Sequence, residues 1–176
     1  MQDCYGLMFD GVDDFLQTGN IAWATDEVTV TAGLRKLSDT ARGMVAELGQ
    51  FANTQNFQLN APTASLGDYG FYSAGTATAG LGTAAAAPNT SVVTGQAKLT
   101  TDTLILRRNA TQAGTSAVDQ GTGSAYTTNP LYIGMRAGTS LPFNGILFGL
   151  TAVNAVLDAT QLGMVELSTN FNTGGF

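Results

Sequence analysis

Residues 129–150 read NPLYIGMRAGTSLPFNGILFGL, and this stretch indicates the fold class more directly than any other. Two apolar runs, 131–135 and 143–150, flank a turn that is rich in Gly, Ser and Pro. Apolar runs on either side of such a turn are typical of antiparallel strands. The stretch therefore predicts two strands that pair with each other, and with them a β-rich fold.

The composition agrees with a β-rich fold. Only 11% of the 176 residues are charged, 44% are apolar, and 22 are Gly. A helical bundle needs Lys, Glu and Arg on its exposed faces, so this composition favours short strands joined by turns of small residues. The length predicts one domain over residues 1–176.

Charge and residue usage exclude several classes of protein. The formal net charge is −6 and the cations are scattered, so nucleic-acid binding is not expected. No stretch approaches the roughly 20 apolar residues that cross a bilayer, so membrane insertion is not expected either. Cys4 is the only cysteine, which excludes an intramolecular disulfide and favours synthesis in a reducing cytosol. The chain also has no His, the commonest metal ligand and general base.

The clearest strand of the first half lies at residues 28–34, where apolar and polar residues alternate. This alternation predicts one buried face and one wetter face. A polar connection, 35–43, leads to a second apolar run at 44–48, and the two runs predict a hairpin. Three of the seven cations lie in this connection, which we interpret as a solvated loop: Arg35, Lys36 and Arg42.

Other strand and turn signals recur about every ten residues. An Asp10-Gly11 turn between apolar flanks predicts a hairpin or bulge. Further strands are predicted at 57–61, 70–74, 91–94 and 103–108. The small residues of 74–88 predict a long loop or a strand against a close neighbour. The spacing of all these segments predicts a two-sheet antiparallel sandwich.

One helix is predicted at the end of the chain, over residues 158–168. Asp158 stands at the position of a helix cap, and Gln161 completes the pattern of a capping box. Gly174 and Gly175 predict the point where the helix stops.

Four sequence features resemble the laminin-G-like, concanavalin-A-like jelly-roll domains. They are LMFDGVDDFL at 7–16, the strand at 28–34, PLYIGMR at 130–136 with the Phe143-Asn144-Gly145 turn, and the helix that follows. They occur in that family's order and cover nearly the whole chain. The resemblance implies an all-β fold, a two-sheet antiparallel jelly-roll sandwich with one short C-terminal helix. The chain departs from many relatives after Gly145, where Ile146 and Leu147 replace an acidic pair.

Two shorter motifs are similar to such domains in bacteriophage virion proteins: RKLSD at 35–39 and the ending FNTGGF. This resemblance implies a non-enzymatic structural or attachment module of a phage tail, fibre or capsid surface. Such a protein is made in the bacterial cytoplasm and displayed on the virion surface. Its expected partners are other virion subunits, copies of itself in a homo-oligomer that we expect to be a trimer, and a cell-surface glycan. The alternative is a free-standing, lectin-like carbohydrate-binding domain.

Some members of the fold bind calcium, and three acidic residues of the first turn are candidate ligands: Asp10, Asp13 and Asp14. Calcium sites need several carboxylate and carbonyl oxygens at short spacing. The alternative interpretation is a turn with solvated carboxylates, because Asp-Gly is itself a turn signal. No other cofactor is expected.

An aromatic cluster provides the candidate sugar platform. Tyr69 and Tyr72 flank Phe71, and aromatic faces with a polar tip are surfaces on which sugar rings stack. The alternative is that Phe71 and one Tyr belong to the core. We interpret Trp23 as a core residue, because Ala flanks it on both sides.

The carboxylates do not form the pattern of a glycosidase. These enzymes need two carboxylates that face each other across a cleft, and the three Glu of the chain lie in unrelated segments. The sequence therefore predicts a protein that is not an enzyme.

Overall fold

The computed structural model describes residues 5–49 and 54–176. Cys4 lies outside these ranges. The described ranges form twelve strands, a 3-10 turn at Leu99–Thr101 and one α-helix, α1 (Ala159–Thr173). The strands are β1 (Leu7–Asp10), β2 (Leu16–Ile21), β3 (Glu27–Lys36), β4 (Met44–Leu48), β5 (Asn56–Asn60), β6 (Asp68–Ala74), β7 (Thr78–Ala84), β8 (Asn89–Lys98), β9 (Thr103–Arg108), β10 (Thr111–Ser116), β11 (Asn129–Ile133) and β12 (Asn144–Val153).

The strands form two antiparallel sheets of six. Sheet A has the order β1-β12-β3-β8-β9-β10, and sheet B has the order β2-β11-β4-β5-β6-β7. Apolar side chains of both inner faces meet in one core, which includes Val30, Leu34, Phe57, Leu59, Phe71 and Leu104. The predicted all-β, two-sheet antiparallel jelly-roll sandwich with a C-terminal helix is confirmed. Trp23 is 3% exposed, which confirms its place in the core.

The predicted pairing between 131–135 and 143–150 is wrong, although both segments form strands. β11 pairs with β2 and β4 in sheet B, whereas β12 pairs with β1 and β3 in sheet A. The connection crosses the sandwich because Phe143 lies fully buried between the sheets, with its ring 5.9 Å from that of Phe9. Its N–H donates to the carbonyl of Gly134 (2.7 Å), which adopts a φ of +86°. The turn residues indicate only that the chain changes direction. Burial of Phe143 in the core decides that β11 and β12 join different sheets.

Two other connections also cross between the sheets, in place of the hairpin predicted from 28–34 to 44–48 and of the hairpin that was one interpretation of the Asp10-Gly11 turn. β1 and β2 lie in different sheets, and so do β3 and β4. Sequential strands do pair from β4 to β7 and from β8 to β10. The small-residue segment contains β7, which confirms the interpretation of a strand against a close neighbour. A Cβ at Gly80 would lie 2.2 Å from the ring of Tyr72, so only Gly fits there.

The outer face of sheet A is covered by α1, which overturns the prediction of a wetter face on β3. Thr29 and Thr31 are as buried as the valines beside them, with exposures of 1% and 0%. A Cβ at Gly33 would meet the Thr173 hydroxyl of α1, so this Gly permits the close approach of helix and sheet. Buried hydroxyls need partners, and Thr31 forms a hydrogen bond with Thr94 of β8 (3.1 Å).

The predicted capping box of α1 is confirmed. The Asp158 carboxylate accepts the N–H groups of Thr160 and Gln161, both at 2.9 Å, and the Gln161 side chain accepts the Asp158 N–H. The helix continues past the predicted end at Ser168 and stops at Gly174, whose φ of 63° is left-handed. No helix of the described ranges is long and apolar enough to span a bilayer.

One ion pair fixes α1 on sheet A. The Arg107 guanidinium of β9 donates to both carboxylate oxygens of Glu166, from Nε at 2.8 Å and from Nη2 at 3.0 Å. Glu166 is 1% exposed.

The predicted solvated loop at 35–43 is correct only in part, because Arg35, Thr40 and Ala41 are exposed but Lys36 is not. Lys36 is fully buried, and its Nζ lies 2.5 Å from Oδ1 of Asp39. The other Asp39 oxygen accepts the Ala87 N–H at 2.5 Å. Burial raises the pKa of Asp39, but the Ala87 donor and Lys36 outweigh burial and hold this pKa below its ordinary value of 3.8.

A carboxylate with a lowered pKa stabilises the fold above its unfolded-state pKa, and this stability is lost as the pH falls through the lower folded-state pKa. We therefore expect Asp39→Asn to reduce the free energy of unfolding by about 1–3 kcal/mol at pH 7. The difference from the unmodified chain should shrink as the pH falls below 3.8. Urea unfolding at pH 7 and pH 3 measures both quantities. An equal difference at the two pH values would contradict this account.

Candidate functional site on the outer face of sheet B

A polar row crosses the outer face of sheet B. The strand registers place Tyr132 beside Glu47, Glu47 beside Gln58, and Gln58 beside Tyr72. Successive side chains of a strand point to opposite faces. Because Phe57 of β5 points into the core, Gln58 points outward. The four side chains of the row therefore share the outer face.

The floor of this row is buried although it faces away from the core. Glu47, Gln58 and Asn60 have exposures of 0%. Two half-buried arginines bond to this floor, one from each of two connections. Arg42 lies just before β4, and Arg136 lies in the turn after β11, where it bridges to Ser140. We call Arg42, Glu47, Gln58, Tyr72 and Arg136 the arginine site.

Both guanidinium groups converge on one amide oxygen. Oε1 of Gln58 accepts Nη2 of Arg42 at 2.8 Å and Nη2 of Arg136 at 3.0 Å. Each arginine is held by a second bond through its Nε. Arg136 donates to Oε1 of Glu47 at 3.1 Å, and Arg42 donates to Oδ1 of Asn60 at 3.0 Å. The two planar donors are thus oriented before any ligand binds.

The arginine site carries an excess of positive charge. It holds two guanidinium groups and one carboxylate, and within the described residues no carboxylate lies within 4.0 Å of Arg42. Burial, and then the charge of Arg136, lowers the pKa of the Arg42 guanidinium below its ordinary value. A guanidinium stays protonated at neutral pH. Paired, oriented guanidinium groups suit a carboxylate or another planar anion, because they can bond it bidentately.

An aromatic face borders the two cations. The Tyr72 ring is half-buried, and its centroid lies 5.5 Å from Cζ of Arg42. A ring at the edge of a polar site can stack on the apolar face of a ligand ring. The place of Tyr72 in a sugar platform stays a prediction.

Tyr69 does not belong to this platform, which corrects the sequence-based prediction. It lies three residues from Tyr72 on β6, so the two side chains point to opposite faces. Tyr69 is 0% exposed, and its hydroxyl donates to the carbonyl of Asn89 at 2.9 Å. Burial raises the pKa of its hydroxyl. A sugar cannot reach this ring from the surface.

The three acidic candidates for calcium do lie together. One carboxylate oxygen from each of Asp10, Asp13 and Asp14 falls within 4.8 Å of the others, and all three residues are exposed. Two of the carboxylates already accept backbone N–H groups, Asp10 from Val12 at 2.8 Å and Asp14 from Asp10 at 3.0 Å. These bonds are those of an Asp turn, so they need no ion. Calcium binding at this turn stays a prediction.

Four residues of the arginine site were not predicted from the sequence as functional residues. Arg42 was assigned to a solvated loop, and Glu47, Gln58 and Arg136 were not considered. One signal was present in the sequence. In β5, amides alternate with Phe57 and Leu59, at Asn56, Gln58 and Asn60. Three amides on the outward face of one strand indicate a hydrogen-bonding surface. The convergence of the two arginines is set by the crossovers, which the sequence did not predict.

A cleft of about 610 Å³ opens at one end of the sandwich, away from the arginine site. Its lining is mostly hydroxyl, amide and carboxylate groups, from Gln55, Thr76, Thr100, Asp102, Thr122 and Ser124. Among the described residues, this lining contains neither an arginine nor an aromatic ring. This cleft therefore offers hydrogen bonds to a ligand, but no cation and no stacking face.

No protein-family model matches the chain, and no curated protein is detectably similar to it in sequence. Solved structures are similar in fold. The CBM40 of the Ruminococcus gnavus IT-sialidase, bound to α2,3-sialyllactose, has a TM-score of 0.63 at 18% identity, over 86% of this chain and 98% of that one. The same module was also solved bound to α2,6-sialyllactose.

Two further structures extend the likeness beyond this module. A heptameric SAP-like pentraxin from Limulus polyphemus has a TM-score of 0.69 at 11% identity, over 90% of this chain and 80% of the pentraxin. The Trypanosoma rangeli sialidase with the inhibitor DANA has a TM-score of 0.67 at 13% identity. The match covers 95% of this chain but 28% of that sialidase. At these identities the likeness shows the fold, a concanavalin-A-like jelly roll that this chain has in common with lectin-like domains.

Proposed function

We propose that this chain is a glycan-binding domain that binds acidic, carboxylate-bearing glycans through the arginine site. The observation that carries the proposal is the convergence of Arg42 and Arg136 on the Gln58 amide oxygen, at 2.8 and 3.0 Å. Among the described residues, the two guanidinium groups have one carboxylate beside them, that of Glu47. A glycan carboxylate would be attracted to this positive charge, and Tyr72 would contact the sugar ring.

The structural neighbours support a glycan of this type. The Ruminococcus gnavus module was solved with two sialyllactoses, and sialic acid is a sugar that carries a carboxylate. The chain covers 98% of that module, so the comparison concerns a whole binding domain. The lectin-like alternative of the sequence analysis is therefore the better supported one.

A place on a phage virion, with other virion subunits as partners, stays a prediction. The neighbours named above come from Ruminococcus gnavus, Limulus polyphemus and Trypanosoma rangeli, and do not bear on a phage origin. Glycan binding would suit an attachment module of a virion as well as a free domain. The predicted absence of enzyme activity also stays a prediction.

The proposal is tested by isothermal titration of the chain with α2,3-sialyllactose and with lactose. We expect sialyllactose to bind at least about tenfold more tightly, because a hydrogen bond to a charged group contributes about 1.5–3 kcal/mol. Arg42→Ala should weaken sialyllactose binding about tenfold or more. Arg42→Lys should restore only part of the affinity, because Lys keeps the charge but loses the planar fork.

Arg35→Ala is the matched control, because Arg35 is an exposed arginine of sheet A, away from the arginine site. This variant should bind as the unmodified chain does. Equal losses in Arg35→Ala and Arg42→Ala would show that only net charge matters. Equal affinity for lactose and sialyllactose would exclude the carboxylate as the recognised group, and no binding of either would exclude the ligand class tested.

A further inference from the structure

We infer that the outward face of α1 is a docking surface for a second copy of this chain, and that the two copies pack through antiparallel helices about a two-fold axis beside Leu167. The proposal goes beyond glycan binding and does not depend on it. It rests on an apolar stripe of three residues on α1, namely Met164, Leu167 and Phe171.

The stripe runs along one line of the helix and faces solvent. Its members follow the i, i+3, i+7 spacing of a single helical face. Met164 is 61% exposed, and Leu167 and Phe171 are each 66% exposed. Large apolar side chains that are aligned and exposed in this way mark interaction surfaces, whereas single exposed ones are ordinary.

The helix cannot turn the stripe inward. Its opposite face is already buried against sheet A through Leu162, Glu166 and Thr173. The ion pair between Glu166 and Arg107 fixes the rotation of the helix about its axis. The stripe is therefore a rigid feature of the fold, in the geometry that a partner would meet.

Charge indicates which kind of partner fits. Between residues 159 and 176 the only charged side chain is that of Glu166, which is buried, although the whole chain carries −6. Two copies can thus meet at this face without like-charge repulsion. An acidic membrane surface is a poor fit, because interfacial helices rely on Lys and Arg on their polar face. An uncharged apolar stripe is complementary to itself under two-fold symmetry.

The shape of the stripe is also complementary to itself. In an antiparallel pair centred at Leu167, Phe171 of one copy lies over position 163 of the other, because the two positions are equally far from the centre. Position 163 is Gly, and the space that its Cβ would fill has nothing within 4 Å. The ring of Phe171 therefore meets no side chain of residue 163 on the second copy.

The area predicts a weak dimer. The three side chains of the stripe expose roughly 400 Å² per copy, so two copies bury roughly 800 Å² from them alone, below the usual range for stable interfaces. The uncharged flanks, such as Gln161 and Ser168, add to this area. We expect a dissociation constant in the micromolar range, and a dimer in place of the trimer expected from the sequence.

Sedimentation equilibrium from about 1 µM to 1 mM protein tests the proposal. The mass of the unmodified chain should rise from 18.1 kDa toward twice that value. Leu167→Glu should stay at 18.1 kDa at every concentration, because it places two like charges on the two-fold axis. Leu66→Glu is the matched control, since Leu66 is 46% exposed in the connection between β5 and β6 of sheet B, which α1 does not cover, and this variant should still dimerise.

A second variant tests the symmetry directly. Leu167→Cys in a Cys4→Ser background should form a disulfide dimer under mild oxidation, because the axis brings the two thiols together. Leu66→Cys in the same background should not. A constant mass of 18.1 kDa, a trimer, or a Leu167→Glu variant that still associates would each overturn the proposal. Sialyllactose titration of Leu167→Glu keeps the two proposals separate, because α1 lies on sheet A and the arginine site on sheet B.

Discussion

Arg107→Ala should lower the free energy of unfolding by about 3 kcal/mol or more, one of the two largest effects that we expect from a single substitution. The variant leaves the Glu166 carboxylate, which is 1% exposed, without its cation. Breaking a buried ion pair from one side costs about 3–5 kcal/mol because the remaining charge stays desolvated. Urea unfolding at pH 7, followed by circular dichroism, measures the change.

Arg108→Ala is the control for this substitution. Arg108 is the next residue on β9, and Nη1 of its side chain donates to the backbone carbonyl of Ala84 without a carboxylate partner among the described residues. We expect a loss of about 1 kcal/mol or less. The double variant Arg107→Met with Glu166→Leu should regain much of the stability, since apolar pairs can replace buried ion pairs. An Arg107→Ala chain within about 1 kcal/mol of the unmodified one would show that the pair does not hold α1.

Phe57→Ala should destabilise the fold by about 3–5 kcal/mol. Phe57 of β5 is fully buried, and its ring centroid lies 5.0 Å from that of Trp23 and 5.6 Å from that of Tyr126. The substitution opens a cavity in the core and also removes two aromatic contacts. Thermal and urea unfolding should both show a strong loss.

Phe171→Ala is the matched control for Phe57→Ala, because it makes the same chemical change at a residue that is 66% exposed. At protein concentrations where the chain is monomeric, its stability should change by about 0.5 kcal/mol or less. If the two Phe variants lost equal stability, the aromatic contacts of Phe57 could not be a main support of the core.

Local sequence signals predicted the elements of this fold well. The capping box at Asp158 and Gln161 acts through residues that are near each other in the chain, so the sequence contains the whole interaction. The alternation of apolar and polar residues over 28–34 likewise predicted β3. A strand that packs one face on the core needs an apolar residue at every second position, and the sequence shows this directly.

Pairing between sheets could not be predicted in the same way. Apolar runs that flank a turn indicate two strands. They do not determine whether the second strand pairs with the first or crosses to the other sheet. Phe143 decides this for β11 and β12 by its burial between the sheets, which is a tertiary effect. The arginine site depends on the same crossovers, since Arg42 lies in the connection that leads from sheet A to β4 and Arg136 in the connection that leaves β11. The outward amides of β5 can be identified from the sequence, but the two arginines that bond to them, Arg42 and Arg136, cannot.

The measurement that tests the central claim most directly is a nuclear magnetic resonance titration of the ¹⁵N-labelled chain with α2,3-sialyllactose. We expect the side-chain Nε–H signals of Arg42 and Arg136 and the amide signals of β5 and β6 to shift together, in a saturable way. Signals of α1 and sheet A should stay in place. Shifts confined to the hydroxyl-lined cleft around Thr76 and Thr122, or no saturable shift at all, would contradict the claim that the arginine site binds acidic glycans.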